Sequence, residues 1–169
     1  GPEHALLREE FYEAKKHLRK RDGTIKNILV FYGGSDLTNE TEKAIKALVH
    51  LHDEGYSFTA DIITGLSNSR REKIEKICSK YHFFHYYCQV SNMAEFMNKA
   101  DLMLGAGGST TWERLYMELP AMVTAVAENQ IQGCEDCSQA GIIEYLGIND
   151  DVRVDTILEA LHKKLDKHN

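Results

Sequence analysis

The stretch Gly105-Ala106-Gly107-Gly108-Ser109-Thr110-Thr111-Trp112-Glu113 constrains this chain more than any other. Upstream, Asp101-Leu102-Met103-Leu104 reads as a short buried strand ending at Gly105. Downstream, Thr111 to Leu119 has helical spacing until Pro120 stops it. The order is therefore strand, glycine-rich turn, helix. Gly105, Gly107 and Gly108 let the backbone pass close to a ligand with no Cβ in the way. Ser109 and Thr110 open the helix, where unpaired N–H groups and the positive dipole end favour an anion, most simply a phosphate or diphosphate. Thr110-x-x-Glu113 also spells a capping box, in which Glu113 only closes the helix start. The spacing is not a dinucleotide fingerprint, because the third glycine is missing and the turn comes late in the chain. Nor is it a P-loop, since no Gly-Lys-Ser/Thr follows.

At 169 residues the chain fits one domain with a sizeable core, and 43% hydrophobic with 27% charged residues is ordinary for a globular protein. The net charge of −6 argues against a broad nucleic-acid or anionic-membrane surface, so an anionic ligand has to be held locally. No apolar run approaches the roughly 20 residues of a membrane span, and the charged first 22 residues are unlike a signal peptide. Four cysteines, Cys78, Cys88, Cys134 and Cys137, do not make a disulfide scaffold in a chain this long, which points to a reducing, cytoplasmic setting.

From the start, residues 3–20 are amphipathic and Asp22-Gly23 breaks the segment, giving a lead-in segment and helix over 1–22 and one domain over 23–169. Ile25–Tyr32 reads as the first strand, ending in a second glycine turn, Gly33-Gly34-Ser35-Asp36. Thr38 or Asn39 caps a helix to about Asp53. Thr59–Thr64 is the second strand, Ser69-x-x-Glu72 caps a helix to about Lys80, and Phe83–Cys88 is the third. Asn92-x-x-Glu95 caps a helix to about Lys99, Leu102–Gly105 is the fourth strand and Ala121–Ala127 the fifth, with helical stretches near 130–140 and 155–167. Unbroken apolar strands alternating with helices indicate an α/β fold, a Rossmann-like parallel sheet with helices on both faces. In such a sheet ligands bind beyond the strands' carboxyl ends, where the strand order reverses. The first and fourth strands are usual neighbours there, and both end in glycine turns. The loop Glu128-Asn129-Gln130 opens on the same side.

At these residues the chain resembles a known family. Gly105 to Glu113, Leu119-Pro120-Ala121 and Ala127-Glu128-Asn129-Gln130 are similar to the C-terminal half of the UDP-2,4-diacetamido-2,4,6-trideoxy-β-L-altropyranose hydrolases of pseudaminic acid biosynthesis and of the related spore coat polysaccharide biosynthesis proteins. More distantly they resemble the family-28 glycosyltransferases that handle UDP-N-acetylglucosamine. Gly1 to Phe11 resembles the segment with which the family enters its second domain, which makes Gly1-Pro2 native sequence rather than a cleavage scar. The resemblance implies the C-terminal half of a GT-B fold, with UDP or a UDP-sugar as ligand and no cofactor or metal. The missing N-terminal domain would be a partner, and in the hydrolases that domain carries the catalytic histidine. It also implies roles. Gly107, Gly108, Ser109 and Thr110 would receive the diphosphate, with Gly34 and Ser35 lining it from the opposite loop. Glu113 would accept the ribose hydroxyls and Val90 would lie at the uracil. Asn129, supporting catalysis, would face the sugar with Glu128 and Gln130.

Three functions fit: the UDP-binding half of a nucleotide-sugar hydrolase, inverting and inactive alone; the donor site of a glycosyltransferase; or a non-catalytic sugar-nucleotide module. Function follows from the site rather than the fold. Other candidates read as structural. Cys134-x-x-Cys137 lacks a second ligand pair at metal spacing, His82 and His85 are too few for a metal site, and His50 and His52 fall on different helix faces. Trp112 reads as a core residue, and the Tyr81–Tyr87 aromatics as strand packing.

Overall fold

The computed structural model describes residues 9–108 and 110–166. The lead-in residues 1–8, and with them Gly1-Pro2, lie outside the described residues, as does Ser109. In the described residues six strands form one parallel sheet: β1 (Asn27–Phe31), β2 (Thr59–Thr64), β3 (Phe84–Cys88), β4 (Leu102–Ala106), β5 (Ala121–Ala125) and β6 (Glu144–Ile148). Among the described residues seven helices connect and cover them: α1 (Glu9–Lys15), α2 (Glu40–Asp53), α3 (Arg71–Cys78), α4 (Met93–Lys99), α5 (Thr111–Tyr116), α6 (Glu128–Gln139) and α7 (Val154–Asp166).

The spatial order is β3-β2-β1-β4-β5-β6, so the chain winds outward from β1 to one edge, crosses back, and winds from β4 to the other. The reversal falls between β1 and β4, where Ile28 pairs with Leu102 and Phe31 with Gly105. Successive side chains of a strand point to opposite faces, and each face has its own core. Ile28 and Val30 pack with Ala44, Leu48 and Leu51 of α2, Ile74 of α3 and Leu161 of α7. Leu29 packs on the other side with Phe11 of α1, Met93 and Met97 of α4, and Cys134 of α6. The sheet is thus covered on both faces, which is why its central strands are continuous apolar runs.

Strand β6 is an element the sequence reading lacks. Its residues Glu144-Tyr145-Leu146-Gly147-Ile148 lie at the sheet edge, only partly buried, and a register irregularity beside Val123 and Thr124 disturbs the pairing. The expected helix caps are also corrected. Neither Thr38 nor Asn39 caps α2; the Asp36 carboxylate does, accepting from the N–H groups of Glu40 and Thr41 at 2.9 and 2.8 Å. No side chain caps α3 at its N-cap, Arg70; Asn68 accepts the Arg70 N–H instead, and Ser69 takes no capping part. Asn92 makes no cap bond to the backbone and holds the Glu95 carboxylate at 3.1 Å.

Asp101 ties the lead-in segment to the two central strands. One carboxylate oxygen accepts from Arg19 at 2.6 Å, and the other from the N–H groups of Lys26 and Asn27, each at 2.9 Å. Burial pushes its pKa up, but the bonds from Arg19, Lys26 and Asn27 outweigh that and hold it below the ordinary carboxylate range. A depressed folded pKa contributes stability that is present above the unfolded value of about 3.9 and is lost as pH falls through the folded value. Asp101→Asn is therefore expected to lower stability by about 1–3 kcal/mol at neutral pH. In denaturant titrations the gap between variant and parent should narrow as pH drops below about 4.

Candidate functional site

The end of the sheet at which the strands point their carboxyl termini carries three cavities. β1 and β4 run out level with each other, because Phe31 and Gly105 are register partners. A Cβ on Gly105 would stand 2.9 Å from the Phe31 carbonyl oxygen, so the two strands approach this closely only with glycine there. The turns that follow, Gly33-Gly34 and Gly107-Gly108, are thereby brought side by side.

A cleft of about 260 Å³ lies between the first of these turns and the start of α5, lined by Gly33, Gly34, Thr64, Gly65, Gln89, Val90, Met93, Thr110 and Glu113, with Phe31 and Ile63. Four expected site residues meet here from three separate loops and the start of α5: Gly34 after β1, Val90 after β3, and Thr110 and Glu113 after β4. A second cavity of about 270 Å³ opens on the other side of the glycine turn, between α5 and α6, lined by Gly107, Gly108, Thr111, Trp112, Arg114, Asn129, Gln130, Cys134 and Cys137 among others. A third, of about 280 Å³, takes in Tyr32, Gly33, Ser35, Asp36 and Val126. A cavity of about 440 Å³ at the opposite end, lined by Leu102, Pro120, Ala121 and Glu144 among others, sits where α/β sheets do not place ligands. His85, in the first half of β3, and His82, just before that strand, belong to that end too.

The local geometry alters several expected roles. Gly107 cannot offer its N–H to a ligand, because it donates to the Thr124 carbonyl at 3.0 Å. Its contribution is steric: a Cβ there would meet the Cys134 sulfur at 2.6 Å, so the turn rests directly on α6. Gly108 is exposed, and its N–H reaches the Thr111 hydroxyl only at 3.4 Å. Thr110 is already in helical conformation and makes no side-chain cap, so the capping box does not form through Thr110. Glu113 is half-buried in the cleft wall. α5 ends at Tyr116 rather than continuing to Leu119, and six residues carry little macrodipole.

On the β5 side, Glu128, Asn129 and Gln130 are the first turn of α6 rather than a loop. Asn129 is exposed at the mouth of the cavity between α5 and α6, Glu128 is exposed beside it, and Gln130 is partly committed, its side-chain oxygen accepting from the Val126 N–H at 3.0 Å. Ser35 shares a hydrogen bond of 3.2 Å with Ser67. Trp112 is not a core residue; it is 41% exposed at the cavity rim. Cys134 and Cys137 are free thiols on α6. No group of three or more metal-binding side chains occurs among the described residues, and no helix among them is long and apolar enough to cross a membrane.

Three residues of the site went unnoticed in the sequence. Gly65 follows β2 as Gly33 follows β1, a parallel that was legible. Gln89, at φ 57°, accepts the Leu66 N–H at 3.2 Å and so joins the β2 and β3 loops. Arg114 directly follows Glu113 at the end of the glycine-turn motif.

No family model matches the chain. An uncharacterized protein of Methanocaldococcus jannaschii is 30% identical over 137 residues, covering 78% of this chain and 27% of that protein. The spore coat polysaccharide biosynthesis protein SpsG of Bacillus subtilis is 25% identical over 162 residues, 94% of this chain and 46% of SpsG. The chain thus spans less than half the length of either relative. Among solved structures, MurG of Acinetobacter baumannii superposes with a TM-score of 0.65 at 14% identity, over 94% of this chain and 48% of that one. The UDP-GlcNAc 2-epimerase of Neisseria meningitidis, solved bound to UDP-GlcNAc, does so at 0.65 and 18% identity, over 95% and 41%.

The tightest contact in the cleft yields a prediction. A Cβ on Gly65 would stand 2.5 Å from the Gly34 carbonyl oxygen and 2.6 Å from its Cα, whereas one on Gly133, inside α6, would meet nothing within 4 Å. Gly65→Ala should therefore cost about 1–3 kcal/mol in denaturant unfolding, while Gly133→Ala should gain up to about 1 kcal/mol from helix propensity. These findings make the chain a GT-B-like α/β domain that corresponds to the C-terminal half of that fold and resembles the spore coat polysaccharide biosynthesis proteins.

Proposed function

We propose that the chain is the UDP-binding domain of a nucleotide-sugar hydrolase acting in surface or spore coat polysaccharide biosynthesis, of the kind that serves pseudaminic acid formation. One observation carries the reading: Gly34, Val90, Thr110 and Glu113, far apart in sequence, line a single cleft at the point where the strand order reverses. The cleft has the chemistry of a nucleoside site. Its lining includes apolar Phe31, Ile63 and Met93 to receive a base, together with Val90 main-chain groups and the Glu113 carboxylate. The likeness to a polysaccharide biosynthesis protein and to an epimerase solved with UDP-GlcNAc supports the same ligand class.

In this reading the uracil sits beside Val90, Glu113 accepts the ribose hydroxyls, and the diphosphate lies along the turn from Gly107 to Thr110, with Gly34 and Ser35 facing it. Asn129, at the mouth of the neighbouring cavity, faces the sugar. The reaction is attack of water on the anomeric carbon with UDP leaving, and the domain's part is to stabilise charge on the departing diphosphate. The base that activates water would come from a second, N-terminal domain. Positioning water and sugar together needs both walls of such a cleft, and losing that positioning alone removes several kcal/mol of barrier lowering.

Binding and turnover measurements test this. Glu113→Gln should weaken UDP binding by roughly 1.5–3 kcal/mol, the value of a charge-assisted hydrogen bond. In titration calorimetry, equal affinity of the parent for ADP and UDP would count against the uracil assignment. The chain alone should bind UDP-sugars yet release no free sugar; robust release would place the base within these residues. If the two-domain protein transferred sugar to an acceptor hydroxyl rather than to water, the donor site would stand and the reaction would be glycosyl transfer.

A further inference from the structure

An acidic chain that binds a diphosphate has to find positive charge somewhere, and the turn itself supplies little. The Gly107 N–H is spent on Thr124 and α5 is six residues long. Among the described residues that line the three cavities at this end of the sheet, one is a lysine or arginine, and that is Arg114.

Arg114 is 1% exposed. Its Nη2 donates to the Thr111 hydroxyl at 3.2 Å, while Nε and Nη1 are buried with no hydrogen-bond partner. Among the described residues it forms no ion pair. A guanidinium does not release its proton in a protein, and burying it without a counter-charge is strongly unfavourable. The groups that act to hold its charge against burial are the thiols of Cys134 and Cys137. Burial raises the Cys134 thiol by more than Arg114 lowers it, so that thiol stays neutral and leaves the cation uncompensated. The same Thr111 hydroxyl that takes the Arg114 donor faces the Gly108 N–H at 3.4 Å, so one side chain links the buried charge to the turn.

We infer that Arg114 is a positioning residue, a fixed buried cation behind the Gly107–Gly108 turn whose charge is neutralised by the anion that binds there. It acts through Thr111 and through space rather than by touching the ligand. The inference rests on the diphosphate assignment above and adds to it the source of the attraction. It also carries an asymmetry. In the free chain the unpaired charge opposes folding, and in the complex it favours binding.

The test uses Arg114→Met, which keeps the bulk and removes the charge, Arg114→Lys, which keeps the charge, and calorimetric titration with UDP and with uridine, which lacks phosphate. Arg114→Met should bind UDP about tenfold or more weakly, the scale of one unit charge several ångströms away in partly screened protein, with uridine affinity unchanged. Arg114→Lys should recover most of the UDP affinity. The melting temperature of Arg114→Met should be no lower than the parent's. If methionine is not accommodated, Arg114→Gln takes its place in the same comparison. Equal losses for UDP and uridine, or unchanged UDP affinity, would overturn the role. Inorganic pyrophosphate separates the two readings. If the parent binds pyrophosphate but neither UDP nor uridine, and the neutral variant loses it, the positioning role stands and the nucleotide assignment falls. If the parent binds none of the three, both fall.

Discussion

The parallel pairing of β1 with β4 is the contact on which the rest of this end of the molecule depends. The two strands are distant in sequence, and their register puts Phe31 opposite Gly105. The absent side chain at Gly105 lets the Phe31 carbonyl lie where a Cβ would be crowded at 2.9 Å. With both strands ending level, two glycine turns leave the sheet together, and the loops after β2 and β3 close the cleft from one side. Had the register slipped by a residue, the apolar sets of Ile28 and Leu29 would exchange faces and neither core would close. The site is thus positioned by the same burial that holds the sheet.

Most of this architecture was legible because the signal for a doubly covered parallel sheet is strong. Continuous apolar runs at β1, β4 and β5, each followed by a helix, leave few alternatives, and the two glycine turns marked which strand ends mattered. What was not legible has physical causes. Strand β6 pairs on one side only and keeps its side chains partly exposed, so it lacks the buried run that reveals a strand. The cap motifs failed because a Ser, Thr or Asn three residues before a Glu describes only a local option. Asp36 reaches α2 from farther upstream, through a loop in which it and Asn39 have positive φ values of 45° and 58°. Glu113 and Val90, which line the cleft, could be singled out from the family resemblance. Arg114 could not, because an arginine on a short helix reads as a solvated charge until the burial of its guanidinium is seen.

The molecule's electrostatics divide between its two ends. At the strands' amino ends, Asp101 gathers Arg19 and two backbone donors into a satisfied cluster that stabilises the fold in every state. At their carboxyl ends, donors are left spare and a charge is left unmatched. Buried carboxylate oxygens of Glu40 and Asp61 also lack a hydrogen bond among the described residues, but both carboxylates hold an ion pair, whereas the Arg114 guanidinium holds none.

The backbone contact between Gly34 and Gly65 has a consequence of its own. With the Ser35 and Ser67 hydroxyls also bonded at 3.2 Å, the loops after β1 and β2 touch through main chain and side chain alike. They are mechanically one part. Neither loop can lengthen, hinge or follow a ligand without carrying the other. Change in the shape of this end of the sheet meets less resistance beyond the glycine turn, where the first turn of α6 leaves the Glu128 and Asn129 side chains exposed.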